Sequence, residues 1–216
     1  VDWGSDSGCT GIDTKYVEYF DEAGHDFSDY SSPTEDSVDG AGDDIVTVDD
    51  DADSDFDSIS SAIGDSSVDS GDTILVAPGD YDSFTVDKDV TVVSEVPSDA
   101  TETASVNGSN SNDGTATGTA IVVSADGATV KGFEVVEAID SGENSRGIDV
   151  YAKNVKIASN SIHDVKSEEH AIGIFLYGKD SEDNDVSNAE VSNNKVYDVV
   201  AYDSGQTSRS VGVTLT

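Results

Sequence analysis

Ala128-Thr-Val-Lys-Gly-Phe-Glu-Val135 returns as Val155-Lys-Ile-Ala-Ser-Asn-Ser-Ile162, and again as Ala189-Glu-Val-Ser-Asn-Asn-Lys-Val196. A companion motif follows each copy: Gly147-Ile-Asp-Val-Tyr151, Gly173-Ile-Phe-Leu-Tyr177 and Gly212-Val-Thr-Leu-Thr216. Val130, Ile157 and Val191 alternate with polar neighbours, which is the period of a strand and not of a helix. Short strands that return at such intervals cannot bury a face alone. They bury it against the next copy, which is the physics of a solenoid.

The 216 residues suffice for one solenoid domain with a continuous core. Forty-six Asp and Glu face ten Lys and Arg, for a formal charge of −36. Apolar residues still make up 35% and recur periodically, unlike those of a disordered acidic tail. The charge therefore reads as the solvated surface of a folded domain. Its self-repulsion calls for molar salt, where the screening length is about 3 Å, and points to an extreme halophile. A calcium-rich secreted protein is the other source of such a surface. With no basic patch, neither nucleic acid nor an anionic membrane is an expected partner. No stretch reaches the ~20 apolar residues of a membrane span. The single Cys9 excludes an internal disulfide. A start at Val1 and the lack of any Met fit a mature secreted chain, extracellular or at the cell surface.

The chain divides into an extension, 1–44, and a solenoid, 45–216. In the extension, Ile12, Tyr16, Tyr19 and Ala23 fall at helical spacing beside Phe20, and a Ser/Asp/Gly-rich linker follows. Ile45-Val-Thr-Val48 is the first strand. Phe56, Ile59, Ala62 and Ile63 form a helical stripe, with Ser54 or Asp55 as N-cap and Gly64 as its stop. Gly71-Asp-Thr-Ile-Leu-Val-Ala-Pro-Gly-Asp-Tyr81 gives a strand closed by a Pro-Gly turn, Phe84 and Val86 start another, and Val90, Val92 and Val93 a third. Residues 97–119 have almost no apolar side chains and read as an excursion from the coil. Ala120-Ile-Val-Val123 resumes the coil, in alignment with Gly147-Ile-Asp-Val150.

Asp49-Asp-Asp-Ala-Asp-Ser-Asp-Phe-Asp-Ser-Ile-Ser-Ser-Ala-Ile63, followed by Gly71-Asp-Thr-Ile-Leu-Val-Ala-Pro-Gly-Asp-Tyr81, resembles the opening of pectin-lyase-like proteins. The resemblance covers roughly 45–216. It implies an all-β fold, a single-stranded right-handed parallel β-helix, with a short helix capping its N-terminal end. It does not specify function, because that fold carries lyases, hydrolases, epimerases and inert surface proteins alike.

Several residues could carry chemistry. Glu137, Asp164 and Asp198 each stand two residues after an aligned apolar position, so stacked coils would set them about 4.8 Å apart. Such carboxylates face concentrated salt, hold a cation, or form the pair a retaining glycosidase needs. Asp51, Asp53 and Asp55 alternate as in a calcium loop, without the Gly and distal Glu of an EF-hand, so calcium is the one cofactor suggested. His163 beside Asp164 and His170 in a loop are surface histidines or a general base. Asn160 and Asn194 share a slot at a bend, where amides bond to one another and to turn backbone. Tyr151 and Tyr177 align as an aromatic ladder, which stabilises coils and can also receive a sugar.

The catalytic signatures of the fold are missing. Lyases of this fold use a calcium-bound Asp cluster with a Lys or Arg base, and the resemblance supplies no such motif here. Only Arg146 and Arg209 exist, both expected in loops. The reading favoured is a non-catalytic surface, adhesive or filament-forming protein of a halophile or its virus. The alternative is a polysaccharide lyase, glycoside hydrolase or polysaccharide-binding protein. Self-association is expected through the coil ends, with Tyr16, Tyr19 and Phe20 covering a neighbour's last coil.

Overall fold

Val46, Ile74, Val92, Val130, Ile157 and Val191 stand in one inward row, each opposite the next across parallel strands. All but the last are fully buried. The row contains the three sequence repeats in the register their spacing demands. The computed structural model describes residues 45–50, 54–98, 100, 102–108, 118–136, 138–140, 144–178, 186–202 and 209–215. The extension, with Tyr16, Tyr19 and Phe20, lies outside the described residues.

Among the described residues, four sheets carry the fold. The first stacks β1 (Ile45–Val48), β2 (Thr73–Val76), β5 (Thr91–Ser94), β8 (Thr129–Lys131), β12 (Lys156–Ala158) and β16 (Glu190–Ser192). The second stacks β3 (Gly79–Asp82), β6 (Ala104–Asn107), β9 (Glu134–Val136), β13 (Ser161–Ile162) and β17 (Lys195–Val196). The third stacks β4 (Phe84–Val86), β7 (Thr119–Val123), β11 (Asn144–Val150), β15 (His170–Leu176) and β19 (Arg209–Leu215). A short fourth holds β10 (Ile139–Asp140), β14 (Lys166–Ser167) and β18 (Val200–Ala201). The chain visits the sheets in turn, and each strand pairs in parallel with one a coil away. This is a right-handed parallel β-helix.

Further apolar rows fill its interior. Tyr81, Val106, Val135, Ile162 and Val196 line the second sheet. Phe84, Ile121, Ile148, Ile174 and Val213 line the third, beside Val86, Val123, Val150, Leu176 and Leu215. At the N-terminal end helix α1 (Ile59–Gly64) buries Ile59, Ala62 and Ile63. Its N-cap is Ser58, whose hydroxyl accepts from the Ser61 amide at 3.2 Å. The helix thus starts later than the stripe suggests, because Phe56 is taken by a parallel bridge to Val48.

Three other expectations are corrected. Part of 97–119 belongs to the coil: Ala104 and Val106 of β6 are fully buried. Two small or branched residues suffice there, because the neighbouring coils supply the bulk. Arg146 lies within β11 and Arg209 begins β19, so neither sits in a loop. His170 likewise opens β15. Parallel pairing to flanking coils extends these strands past their apolar stretches.

Turns between sheets obey a rule of their own. Asn154, Ser159 and Asp164 have φ of 58°, 57° and 55°, and their equivalents one coil on, Asn188, Asn193 and Asp198, have 59°, 56° and 50°. Asn and Asp tolerate this left-handed conformation better than most residues. Asn160 fills the bend as expected: its Oδ1 accepts from the Phe133 amide, and its Nδ2 donates to Val130 O and Asn194 Oδ1. Asn194 Nδ2 in turn donates to Ile157 O at 2.7 Å.

The Gly of the companion motif has a packing cause. A Cβ on Gly147 would lie 2.5 Å from Ile162 and 2.6 Å from the Gly173 carbonyl. Gly173 would collide in the same way with Val196 and the Gly212 carbonyl, whereas Gly212 meets its nearest atom at 3.9 Å. Gly173→Ala is therefore expected to destabilise the fold by about 1–3 kcal/mol through overpacking, and Gly212→Ala to be near neutral. Denaturant midpoints at molar salt measure both; equal effects would refute this account.

Candidate functional site

The outward face of the third sheet carries a polar and aromatic cluster. Thr85, Val122, Asp149, Phe175 and Thr214 form its outward row, one residue per strand from β4 to β19. Asp149 is only 2% exposed. Its Oδ2 accepts from Arg146 Nη1 at 2.8 Å and from the Tyr151 hydroxyl at 3.3 Å. Strict alternation would put residues three apart on opposite faces. The contact shows that alternation breaks between Arg146 and Asp149, where Gly147 sits.

Aromatic rings enclose the pair. Tyr151 and Tyr177 stack with centroids 4.1 Å apart and planes 18° apart, as their alignment predicts. Phe175 meets Tyr177 edge-on at 4.3 Å. The Arg146 guanidinium lies 4.8 Å from the Phe175 centroid and 5.5 Å from that of Tyr177, within cation–π range.

The electrostatics follow from this enclosure. Burial pushes the Asp149 carboxyl up to about 6, although Arg146 and the Tyr151 hydroxyl pull the other way. Burial also raises the Tyr151 phenol, helped by Tyr177 and by the Asp149 charge. Asp149 Oδ1 and Arg146 Nε are buried and have no hydrogen-bond partner among the described residues. Both atoms are shielded from solvent, so the surface this cluster offers to a ligand is that of the rings and of the partly exposed guanidinium.

A second cluster occupies the second sheet. His163 bridges Glu134, 2.9 Å from Nε2, and Asp164, 2.9 Å from Nδ1, and its ring stacks on Tyr197 at 4.7 Å. Burial opposes its positive charge, but hydrogen bonds to Asp164 and Glu134 outweigh it, and the imidazole titrates above its usual range. Asp164 is held low, first by Lys166, which donates at 2.7 Å, and then by His163. Glu134 also lines an open groove of about 380 Å³ with Asp80, Glu102 and Thr103.

The candidates from sequence are placed as follows. Asp164 and Asp198 hold equivalent left-handed turns beside the second sheet, and the third member, Glu137, lies outside the described residues. The chain bends at Asp164, which resolves how His163 and Asp164 meet despite being adjacent. Asp55 accepts from the Thr47 amide and hydroxyl at 2.7 and 2.8 Å. Asp51 and Asp53 lie outside the described residues. Among those described, no three His, Cys, Asp or Glu residues are grouped to hold a metal. The Arg146–Asp149 pair was missed because its contact needs a break in strand alternation. Its one signal was an Asp at a motif position that holds Phe175 and Thr214 in the other two copies.

Neither a scan against protein-family models nor a search of curated proteins finds a match. Two solved structures are similar in fold: a pectin methylesterase mutant in complex with hexasaccharide IV, and a pectin methylesterase in complex with hexasaccharide VII. Identities are 13% and 14%, with TM-scores of 0.43 and 0.44. The likeness is one of fold alone. The alignments cover 76% of this chain, which spans 58% of the length of those two proteins. Among the described residues, no helix is long and apolar enough to cross a membrane.

Proposed function

We propose that this chain is an extracellular, polysaccharide-engaging β-helix adapted to high salt, and that the outward face of its third sheet binds the glycan without turnover. The observation that carries the reading is the outward aromatic cluster of Tyr151, Tyr177 and Phe175 around the Arg146 guanidinium, which buried Asp149 holds in place. A sugar ring offers C–H faces to the aromatic rings and hydroxyl oxygens to the Arg146 guanidinium, which is 19% exposed, while Asp149, at 2%, holds that guanidinium from beneath. A surface charge of −36 disfavours polyanionic chains, so the ligand class is a neutral or weakly charged polysaccharide.

One observation favours a second, catalytic reading. A carboxyl titrating at about 6 suits a general acid near neutral pH. Glycoside hydrolysis needs two carboxyl groups, though, and the row that carries Asp149 continues as Val122 and Phe175. Binding without turnover therefore fits the geometry better.

Neutral and acidic polysaccharides at molar salt, assayed for binding and for unsaturated, reducing-end or ester-hydrolysis products, test both readings. Expected is binding of a neutral glycan without product, weakened roughly tenfold by Tyr177→Ala, as loss of an aromatic contact worth about 1.4 kcal/mol would do. Products that disappear in Asp149→Asn would establish the catalytic reading instead. Binding indifferent to Tyr177→Ala would move the site elsewhere.

A further inference from the structure

We propose that His163 is a proton-operated clasp holding successive coils of the second sheet together, and that loss of its proton releases Glu134 toward the neighbouring groove. β9, β13 and β17 are consecutive in that sheet, and the ring just past β13 reaches both ways. Its Nε2 lies 2.9 Å from Glu134 Oε1 on the coil before, and its plane stacks within 16° on that of Tyr197 on the coil after. Nδ1 lies 2.9 Å from Asp164 Oδ2 in the adjoining turn. Ionised carboxylates only accept, so both ring nitrogens donate, and only the imidazolium has two N–H groups. The geometry is therefore that of the protonated ring, which is 14% exposed.

The charged and titratable groups facing this ring are Glu134 of β9, Asp164 of its own turn, Lys166 of β14, and Lys195 and Tyr197 of β17. Lys166 Nζ donates to Asp164 Oδ1 at 2.7 Å, and Lys195 Nζ lies 4.6 Å from the Tyr197 centroid. Burial opposes the ring's charge, but its bonds to Asp164 and Glu134 hold the proton above the ordinary imidazole range. At molar salt a screening length of about 3 Å leaves such contacts in force while distant charges fade.

A neutral imidazole keeps one N–H, so one carboxylate is left facing a nitrogen lone pair. Asp164 stays in place, fixed by its left-handed turn and by Lys166. Glu134 belongs to another coil, where Thr103 Oγ1 already donates to its Oε2 at 2.9 Å, and it lines the open groove with Asp80 and Glu102. The remaining hydrogen therefore stays on Nδ1, the Nε2 proton passes to solvent, and the bond between the two coils breaks. Glu134 is then an uncompensated charge beside two other carboxylates, and the groove gains a full negative charge.

Nitrogen-resolved NMR of the isotope-labelled full chain at molar salt tests this, with the His163 signal assigned by its contacts to the Tyr197 ring. Expected is a ring that carries both protons at about pH 6 and, at about pH 9, a single proton on Nδ1. His163→Phe keeps an aromatic ring against Tyr197 and removes both N–H groups. A double-mutant cycle of His163→Phe with Glu134→Gln, read as urea-unfolding constants, is expected to show a coupling of roughly fivefold at the lower pH that vanishes at the higher. A neutral ring with its proton on Nε2, or a ring that titrates at or below the ordinary range, would overturn the proposal. So would a coupling that is absent at the lower pH or unchanged at the higher. The spectra of the parent chain decide the tautomer even where a variant fails to fold.

Discussion

Dialysis from molar salt to about 10 mM, with chelator present, is expected to abolish the cooperative β-sheet signal of this protein. The screening length rises from roughly 3 Å to 30 Å over that change. At the lower salt each carboxylate feels neighbours across the width of the coil; at the higher salt it feels only those in contact. With 46 carboxylates against ten Lys and Arg, few have a cation within reach. Compactness then works against the folded state, because unfolding lets like charges separate. Circular dichroism during stepwise dialysis measures the effect, and returning the salt should restore the signal. A spectrum and a melting transition that stay unchanged at low salt would show that packing of the apolar rows alone outweighs the repulsion.

Asp149→Asn is expected to gain stability relative to the parent by about 2 kcal/mol between pH 4 and pH 7. The sign follows from the direction of the shift. The folded carboxyl titrates at about 6, against 3.8 for the ordinary side chain. The folded state therefore binds the proton more tightly, and stability is fully present below pH 3.8 and lost as pH rises through 6. Asn carries no proton to lose, so the variant escapes that loss. Taking the difference between the two proteins cancels the titration of the other carboxylates. It also cancels His163, whose raised value gives stability below its ordinary range that fades at higher pH. Urea midpoints at constant molar salt supply the numbers. A difference that is flat from pH 4 to pH 7 would mean that Asp149 is solvated and that the pair with Arg146 is not buried.

The expected salt response is read from the composition, whereas the expected pH response is not. Gly147-Ile-Asp-Val-Tyr151 departs from the other copies at Asp149, but the departure does not say whether that Asp is buried or exposed like the many others. Its burial depends on Phe175, Tyr177 and Arg146 closing around it from this strand and the next coil. The asparagine ladder was legible for the opposite reason. Asn160 and Asn194 recur at the coil repeat, and a repeated polar residue beside repeated apolar ones has a turn to satisfy. The left-handed turns at Asp164 and Asp198 add a structural reason for an acidic residue in that slot.

By itself the sequence determined the coil. The spacing of the repeats matches the registers of Val130, Ile157 and Val191, because a parallel stack buries an apolar row only when equivalent residues align. Only the tertiary structure decided which outward positions become chemistry. Alternation tells which way a side chain points, not what the next coil places beside it, and it fails where the backbone breaks step at Gly147. The same limit hid β6, whose Ala104 and Val106 look too sparse for a core strand until the coils on either side enclose them.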